Sequence, residues 1–157
     1  MANPDDNAAD LVTEYVTMTI GDHMFGLPIF RVQDVFVPAR VTRVPLAPPE
    51  VAGILNLRGR VVTAIDMRSR LDLGARAPGT QVMAIGIELK GEFYGLLVDS
   101  VGEVLQLRNA ACEANPANLD AGLSRVAAGI YRLEGQLMVV LDVDRVLDIQ
   151  NGAAVAA

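Results

Sequence analysis

The sequence predicts an all-β protein of the barrel or sandwich class, on three observations. Short runs alternate apolar and polar residues, turn residues separate those runs at even spacing, and the chain carries a faint internal duplication. Tyr15 to Ile20 alternates, with Val16, Met18 and Ile20 on one side and Thr17 and Thr19 on the other, as a half-buried strand requires. Gly21-Asp22 turns the chain into a second strand, His23 to Leu27. Further β-rich runs fall at Arg60 to Ile65, Gln81 to Leu89, Glu92 to Val98, Glu103 to Leu107, Val126 to Leu133 and Gln136 to Leu141. Gly91-Glu92 and Glu134-Gly135 are the turns between adjacent runs.

Helices should be few and short. Pro28 suits a first helical turn, after which Ile29, Val32, Gln33 and Phe36 would share one face until Pro38 ends the segment. Pro48-Pro49-Glu50 is expected to open a turn of helix through Val51-Ala52. Asp66 and Asp142 each end a strand and are placed to cap Met67 to Leu71 and Val143 to Leu147. The ends, Met1 to Leu11 and Asn151 to Ala157, read as flexible tails, and Gly74 to Thr80 as a Gly/Pro/Ala linker.

The duplication organises these elements. Phe25-Gly26-Leu27 and Val32-Gln33-Asp34-Val35 align with Tyr94-Gly95-Leu96 and Val101-Gly102-Glu103-Val104 at an offset of 69. Gly53-Ile54, Gly59, Val62 and Ile65-Asp66 align with Gly129-Ile130, Gly135, Met138 and Leu141-Asp142 at an offset of 76. The domain then runs over 12–150, with repeat-related halves at about 12–79 and 80–148. Halves of that size bury too little surface to be secure alone, so two lobes sharing a core, with a groove between them, are expected.

Composition narrows the function. The 157 residues carry 13 basic and 19 acidic side chains, one histidine, one cysteine and no tryptophan. A net charge of -6 argues against nucleic acid, which needs a basic stripe to release counterions, and so few aromatics leave little for base stacking. One cysteine permits no intramolecular disulfide, and one histidine gives a metal little to bind. No run approaches the ~20 apolar residues of a membrane span. The acidic first residues resemble no signal peptide, so a cytoplasmic protein is expected, meeting a membrane only through a partner.

Catalytic chemistry is equally thin. Ser69, Ser100 and Ser124 lie in no G-x-S-x-G elbow, and there is no Walker A loop or G-x-G-x-x-G fingerprint. Asp66 and Asp142 sit at equivalent places in the repeat, which favours capping over an acid–base pair. His23 in a hairpin reads as an exposed or partly packed imidazole, and Cys112 as a small apolar filler. No enzyme activity, metal or cofactor is expected.

Charge is unevenly distributed. From Arg31 to Arg76 there are eight arginines against four acids, a net +4, while the remainder holds five basic and fifteen acidic residues, a net -10. Within the basic segment lies Asn56-Leu57-Arg58-Gly59-Arg60-Val61-Val62, two strand segments joined by a tight turn in which Gly59 supplies a positive φ. Arg58 then stands at the tip, either free for a bidentate contact or paired with Asp34 or Asp66. The equivalent turn of the second half, Glu134-Gly135-Gln136, has no arginine, so the fold itself does not require one.

The order of Phe25-Gly26-Leu27-Pro28-Ile29, Val32-Gln33-Asp34-Val35, Gly53-Ile54-Leu55-Asn56-Leu57-Arg58-Gly59, Ile65-Asp66-Met67-Arg68, Gly95-Leu96-Leu97-Val98-Asp99-Ser100-Val101 and Leu141-Asp142 resembles the CheW family of bacterial chemotaxis coupling proteins. The likeness runs from about Tyr15 to Leu147. It implies two SH3-like five-stranded β-barrel subdomains in pseudo-twofold arrangement. It also implies a non-enzymatic adaptor joining the cytoplasmic tips of methyl-accepting chemotaxis receptors to the regulatory domain of the histidine kinase CheA. By the same resemblance Val32, Asp34, Gly53 and Arg58 fall at coupling-sensitive positions, with Asn56 and Gly59 in the same turn. Asp34 stands where glutamate is commoner, and Pro28 where relatives are more often polar. Val32, Val35, Val98 and Val101 are expected either to wall a groove for a receptor helix or to be plain core, with Asp34 and Arg58 as a polar rim. The rival expectations are a CheW-like regulatory module of another kinase, a non-flagellar chemosensory pathway, or a small-molecule-binding barrel. The initial methionine and the lack of an attached kinase or receiver sequence favour a free-standing coupling protein.

Overall fold

The computed structural model describes residues 11–74 and 79–149, and within them the alternating runs are strands. The elements are β1 (Val12–Ile20), β2 (His23–Pro28), β3 (Val32–Phe36), β4 (Val51–Leu57), β5 (Arg60–Asp66), β6 (Met83–Leu89), β7 (Glu92–Val98), β8 (Ser100–Arg108), β9 (Ala127–Leu133) and β10 (Gln136–Leu141). Three one-turn helices join them: α1 (Met67–Arg70), α2 (Ala121–Ser124) and α3 (Val143–Val146). Asp66 and Asp142 cap α1 and α3 as expected. Asp66 Oδ1 accepts from Arg68 N at 3.1 Å, and Asp142 Oδ1 from Arg145 N at 3.3 Å.

The strands form two five-stranded sheets, β8-β1-β2-β10-β9 (sheet A) and β3-β6-β7-β5-β4 (sheet B), so the expected all-β fold of two five-stranded subdomains is present. The two orders become identical when β1–β5 are exchanged with β6–β10. Register keeps the same equivalence. The parallel pairs Thr63↔Tyr94 and Ala64↔Gly95 in sheet B match Val139↔Phe25 and Val140↔Gly26 in sheet A, at the offsets of the duplication. The lobes are not the sequence halves, however. Each sheet takes strands from both, because the chain crosses from one sheet to the other after β2 and again after β7.

This exchange explains where the core sits. β2 and β7 lie at the middle of their sheets with both faces covered. Phe25 and Leu27 on β2, and Leu96 and Val98 on β7, point into one cluster that takes residues from both sheets. The opposite faces line two smaller cores. Leu55, Val62, Ala64, Ala84 and Leu97 fill sheet B, and Tyr15, Tyr131, Met138 and Val140 fill sheet A. Each sheet curls so that both of its edge strands reach one core: Phe36 of β3 and Leu57 of β4 pack against the sheet B cluster, and Leu107 of β8 and Leu133 of β9 against that of sheet A.

Two expected helices are absent. After a 3-10 turn at Ile29–Arg31 the chain becomes β3, paired antiparallel with β6, so Val32 to Phe36 is a strand and not a helix face. Extended backbone suits β-branched Val32 and Val35, and pairing with β6 satisfies hydrogen bonds that a short exposed helix would leave to water. Around Pro48 there is only a turn, closed by Val51 N donating to Pro48 O at 2.9 Å, before β4 begins at Val51. Leu11, read as part of a flexible tail, accepts from Asn109 N at 2.8 Å. The rest of both tails (1–10 and 150–157) and residues 75–78 of the linker lie outside the described residues.

Polar contacts fasten the seam between the lobes. Arg68 on α1 makes a bidentate pair with Asp99, at 3.0 and 2.6 Å, where the chain passes from β7 to β8. Gly21 N also donates to Asp99, at 2.8 Å, tying in the β1–β2 turn. The hydrogen bond to Asp99 raises the Arg68 pKa further above its already high value. Arg70 Nε donates to Val146 O at 2.8 Å and its Nη2 to Arg145 O at 2.9 Å, so α1 satisfies carbonyls at the end of α3.

Two tyrosines give a pH signature. Burial, with a 2.7 Å hydrogen bond to Glu92, pushes the Tyr94 phenol up to about 12. Burial beside Tyr15, whose hydroxyl lies 3.3 Å away, raises Tyr131 as well. Both phenols hold their protons more tightly folded than unfolded, where a phenol ionises near ~10. Stability from Tyr94 is therefore complete below pH ~10 and is lost as pH rises toward 12. In an absorbance titration at about 295 nm these two phenols should stay protonated past pH ~10 in the folded chain and ionise near it in denaturant.

Glycine geometry supplies a mutational test. Gly53 has φ +151, and a Cβ there would collide with the backbone carbonyl of Thr42, whereas Gly59 (φ +80) faces open space. Gly53→Ala should cost about 2–4 kcal/mol from strain plus overpacking. Gly59→Ala should cost only about 1–2 kcal/mol, from its left-handed backbone. Urea midpoints of the two variants check the difference.

Candidate functional site

The β4–β5 hairpin builds the most definite surface feature. Leu55 points into the core of sheet B while Asn56 faces out opposite Val61. Asn56 Oδ1 accepts from Gly59 N at 2.9 Å, and Arg58 (φ 54) and Gly59 (φ 80) both take left-handed backbone, the geometry of a two-residue type I′ turn. Asparagine and glycine are what such a turn needs; arginine is not, since a non-glycine residue there is strained. Arg58 is therefore held at a tip by its neighbours, with its side chain 77% exposed.

Asp34, on the opposite edge strand β3, comes to 3.5 Å from Arg58 Nη1. Of the alternatives left open by the sequence, pairing with Asp34 is present, while Asp66 is engaged as the α1 cap. The pair is longer than a charge-assisted hydrogen bond and largely solvated, so it contributes little to stability and leaves the guanidinium available. Beside it Arg60 lies over the ring of Phe93, 4.0 Å from guanidinium carbon to centroid, a cation–π contact that closes the end of sheet B. Sequence reasoning missed this pair, since nothing local shows that Arg60 and Phe93 meet.

The remaining site residues do not form one wall. Gly53 is buried against Thr42 and acts through backbone geometry. Val32 and Val101 are pseudo-twofold mates, each partly buried against the shared core, one in each sheet. Val35 is 44% exposed and, because a bulge lies between Val32 and Asp34, it shares the face of Val32 while Asp34 and Phe36 turn to the other. Val98 is fully buried, so its assignment as a groove wall is corrected: with Leu96 it belongs to the apolar face of β7 that packs between the sheets. The apolar surface near Asp34 is instead Phe30, Val35 and Val37, the first of them 78% exposed on the 3-10 turn. Phe30 was overlooked because a helix reading of Pro28 to Phe36 hides which side chains face water.

Nothing assembles a reaction centre from these parts. Among the described residues no three His, Cys, Asp or Glu side chains converge as metal ligands, and no helix is long and apolar enough to cross a membrane. Asp66 and Asp142 cap separate helices, and Cys112 is exposed, not the packed filler expected.

Residues 14–151 match the CheW-like domain family. The chain belongs to that family. Among curated relatives, the chemotaxis protein CheW of Rhizobium meliloti (strain 1021) is 29% identical over 152 residues, covering 94% of this chain and 98% of that protein. The chemotaxis protein CheW of Helicobacter pylori is 25% identical over 136 residues, covering 87% and 82%. The crystal structure of the scaffolding protein TtCheW from Thermoanaerobacter tengcongensis superposes with a TM-score of 0.79 at 26% identity, covering 90% of this chain and 96% of that one. Proteins of this family are scaffolds or adaptors and not enzymes.

Because the Arg58–Asp34 pair is solvated, Arg58→Ala should shift the unfolding free energy by less than about 0.5 kcal/mol. Thermal and urea melts of the variant and the parent check this.

Proposed function

We propose that this chain is an adaptor that couples the cytoplasmic tips of methyl-accepting chemotaxis receptors to the regulatory domain of the histidine kinase CheA, without a reaction of its own. The observation that carries the reading is Arg58: a strained, exposed cation held at a turn tip beside Asp34, in a chain of this family. Stability gives no reason for arginine at a left-handed position, so a contact made outside the chain is the simplest account of it.

A receptor tip is a helical hairpin, which docks by apolar anchors at i, i+3 and i+4. Phe30, Val35 and Val37 supply exposed apolar surface for it, with Val32 beneath, Asp34 and Arg58 at the rim, and Val101 on the equivalent strand. Asn56, Gly59 and Gly53 hold the hairpin that positions Arg58. The kinase contact is an end-to-end packing of one barrel on the related barrel of the kinase. Recruitment to receptor arrays at the inner membrane follows from these partners. The signal then travels as a coupling free energy between two docking faces, on the order of 1–3 kcal/mol.

In arrays reconstituted from receptor, kinase and this protein, Arg58→Glu should abolish receptor control of kinase phosphorylation while leaving the melting curve unchanged. Retained control in a folded variant would remove Arg58 from the mechanism.

A further inference from the structure

The duplication allows each lobe to serve as a control for the other, and the ends of the two sheets differ. At the end of sheet B the space between β3 and the β4–β5 hairpin is nearly closed, with about 10 Å³ left. Phe36 lies over Gly86 and Gly95, and Arg60 covers Phe93. At the equivalent end of sheet A the positions of Phe36, Phe93 and Arg60 are taken by Leu105, Met24 and Gln136. Each is smaller, the cation is gone, and a cavity of about 270 Å³ opens between β1, β2 and β8.

Charge follows shape. The cavity is lined by Glu103, the counterpart of Asp34, and by Asp22 of the β1–β2 turn, and no Lys or Arg lines it. Among the described residues no cation lies within ion-pair distance of Glu103. Thr17, which stands where sheet B has Gly86, is already satisfied by donating to Glu103 O at 2.6 Å, so the opening is not a defect of unpaired backbone. One lobe thus stacks its own arginine across its end; the other keeps the acid and the space but lacks the arginine.

We propose that the open end of sheet A is a socket for an arginine side chain delivered by a partner protein. The guanidinium would take the place that Arg60 fills in the other lobe, over Met24 and beside Glu103. A planar cation suits the site because its stem and flat face can pack on an apolar side chain while its edge donates to a carboxylate. The inference stands on the comparison between lobes and does not depend on which proteins the adaptor joins.

His23, the sole histidine, also lines the cavity, so its imidazole proton resonance is a unique reporter. The full chain would be titrated with a β-hairpin peptide carrying one arginine at its turn, with the same hairpin carrying citrulline, and with N-acetylarginine amide. The expected result is a saturable His23 shift with the arginine hairpin, at least fivefold weaker binding for citrulline, and weaker binding for the amide. Met24→Phe with Gln136→Arg should close the socket from within, keep or raise the melting temperature and abolish the calorimetric binding signal. Should that pair not fold, Glu103→Gln should weaken the arginine hairpin at least threefold. No His23 shift, equal binding of citrulline, undiminished binding by folded variants, or an amide binding as tightly as the hairpin would each overturn the proposal.

Discussion

The apolar layer between the two sheets is the constraint on which the rest of the molecule depends. Each sheet is completed by strands from the other half of the chain, and the central strands β2 and β7 send Phe25, Leu27, Leu96 and Val98 into the same cluster. Neither sheet can be withdrawn without stripping that cluster, and neither half of the chain without breaking a parallel strand pair, β2 with β10 or β5 with β7. The polar fasteners lie along the same seam. Arg68 with Asp99, and Arg70 on the α3 carbonyls, add direction to a contact that burial alone would leave free to slide. Rigid faces on either lobe follow from this.

The internal symmetry governs the scaffold and not the surface. Register, bulges and helix caps repeat between the halves, since they serve the same backbone. The exposed turn does not: Arg58 at one tip answers to Glu134 at the other. Nor do the ends of the sheets, one filled by Phe36, Phe93 and Arg60 and the other open. Two faces of one ancestral shape, one basic and one acidic, can bind different partners while staying in fixed relation. An adaptor needs no more chemistry than that.

Much of this could be read from the sequence. Period-two alternation with Gly-containing turns marks most strands, and the offsets of 69 and 76 correctly pair equivalent positions. β3 escaped because Val32 and Phe36 have the four-residue spacing of a helix face and Pro28 tipped the reading toward helix, whereas a bulge between Val32 and Asp34 sends the two to opposite faces of the strand. The exchange of strands escaped for a different reason: a repeat says which strands are alike, not which sheet each one joins. At the site, the Asn-Leu-Arg-Gly turn declared itself through backbone chemistry, as did the Asp66 and Asp142 caps. Arg60 over Phe93, Phe30 on the surface and Val98 in the core depend on tertiary packing between distant segments, which no local pattern encodes.

Native-state hydrogen exchange on the full chain tests the shared layer most directly. The slowest amides of the central strands of both sheets, β2 and β7, should open with the same free energy, equal to that of global unfolding. Strands of one sheet exchanging through a separate, lower-energy opening while the other stays protected would contradict it, since the lobes would then be independent bodies.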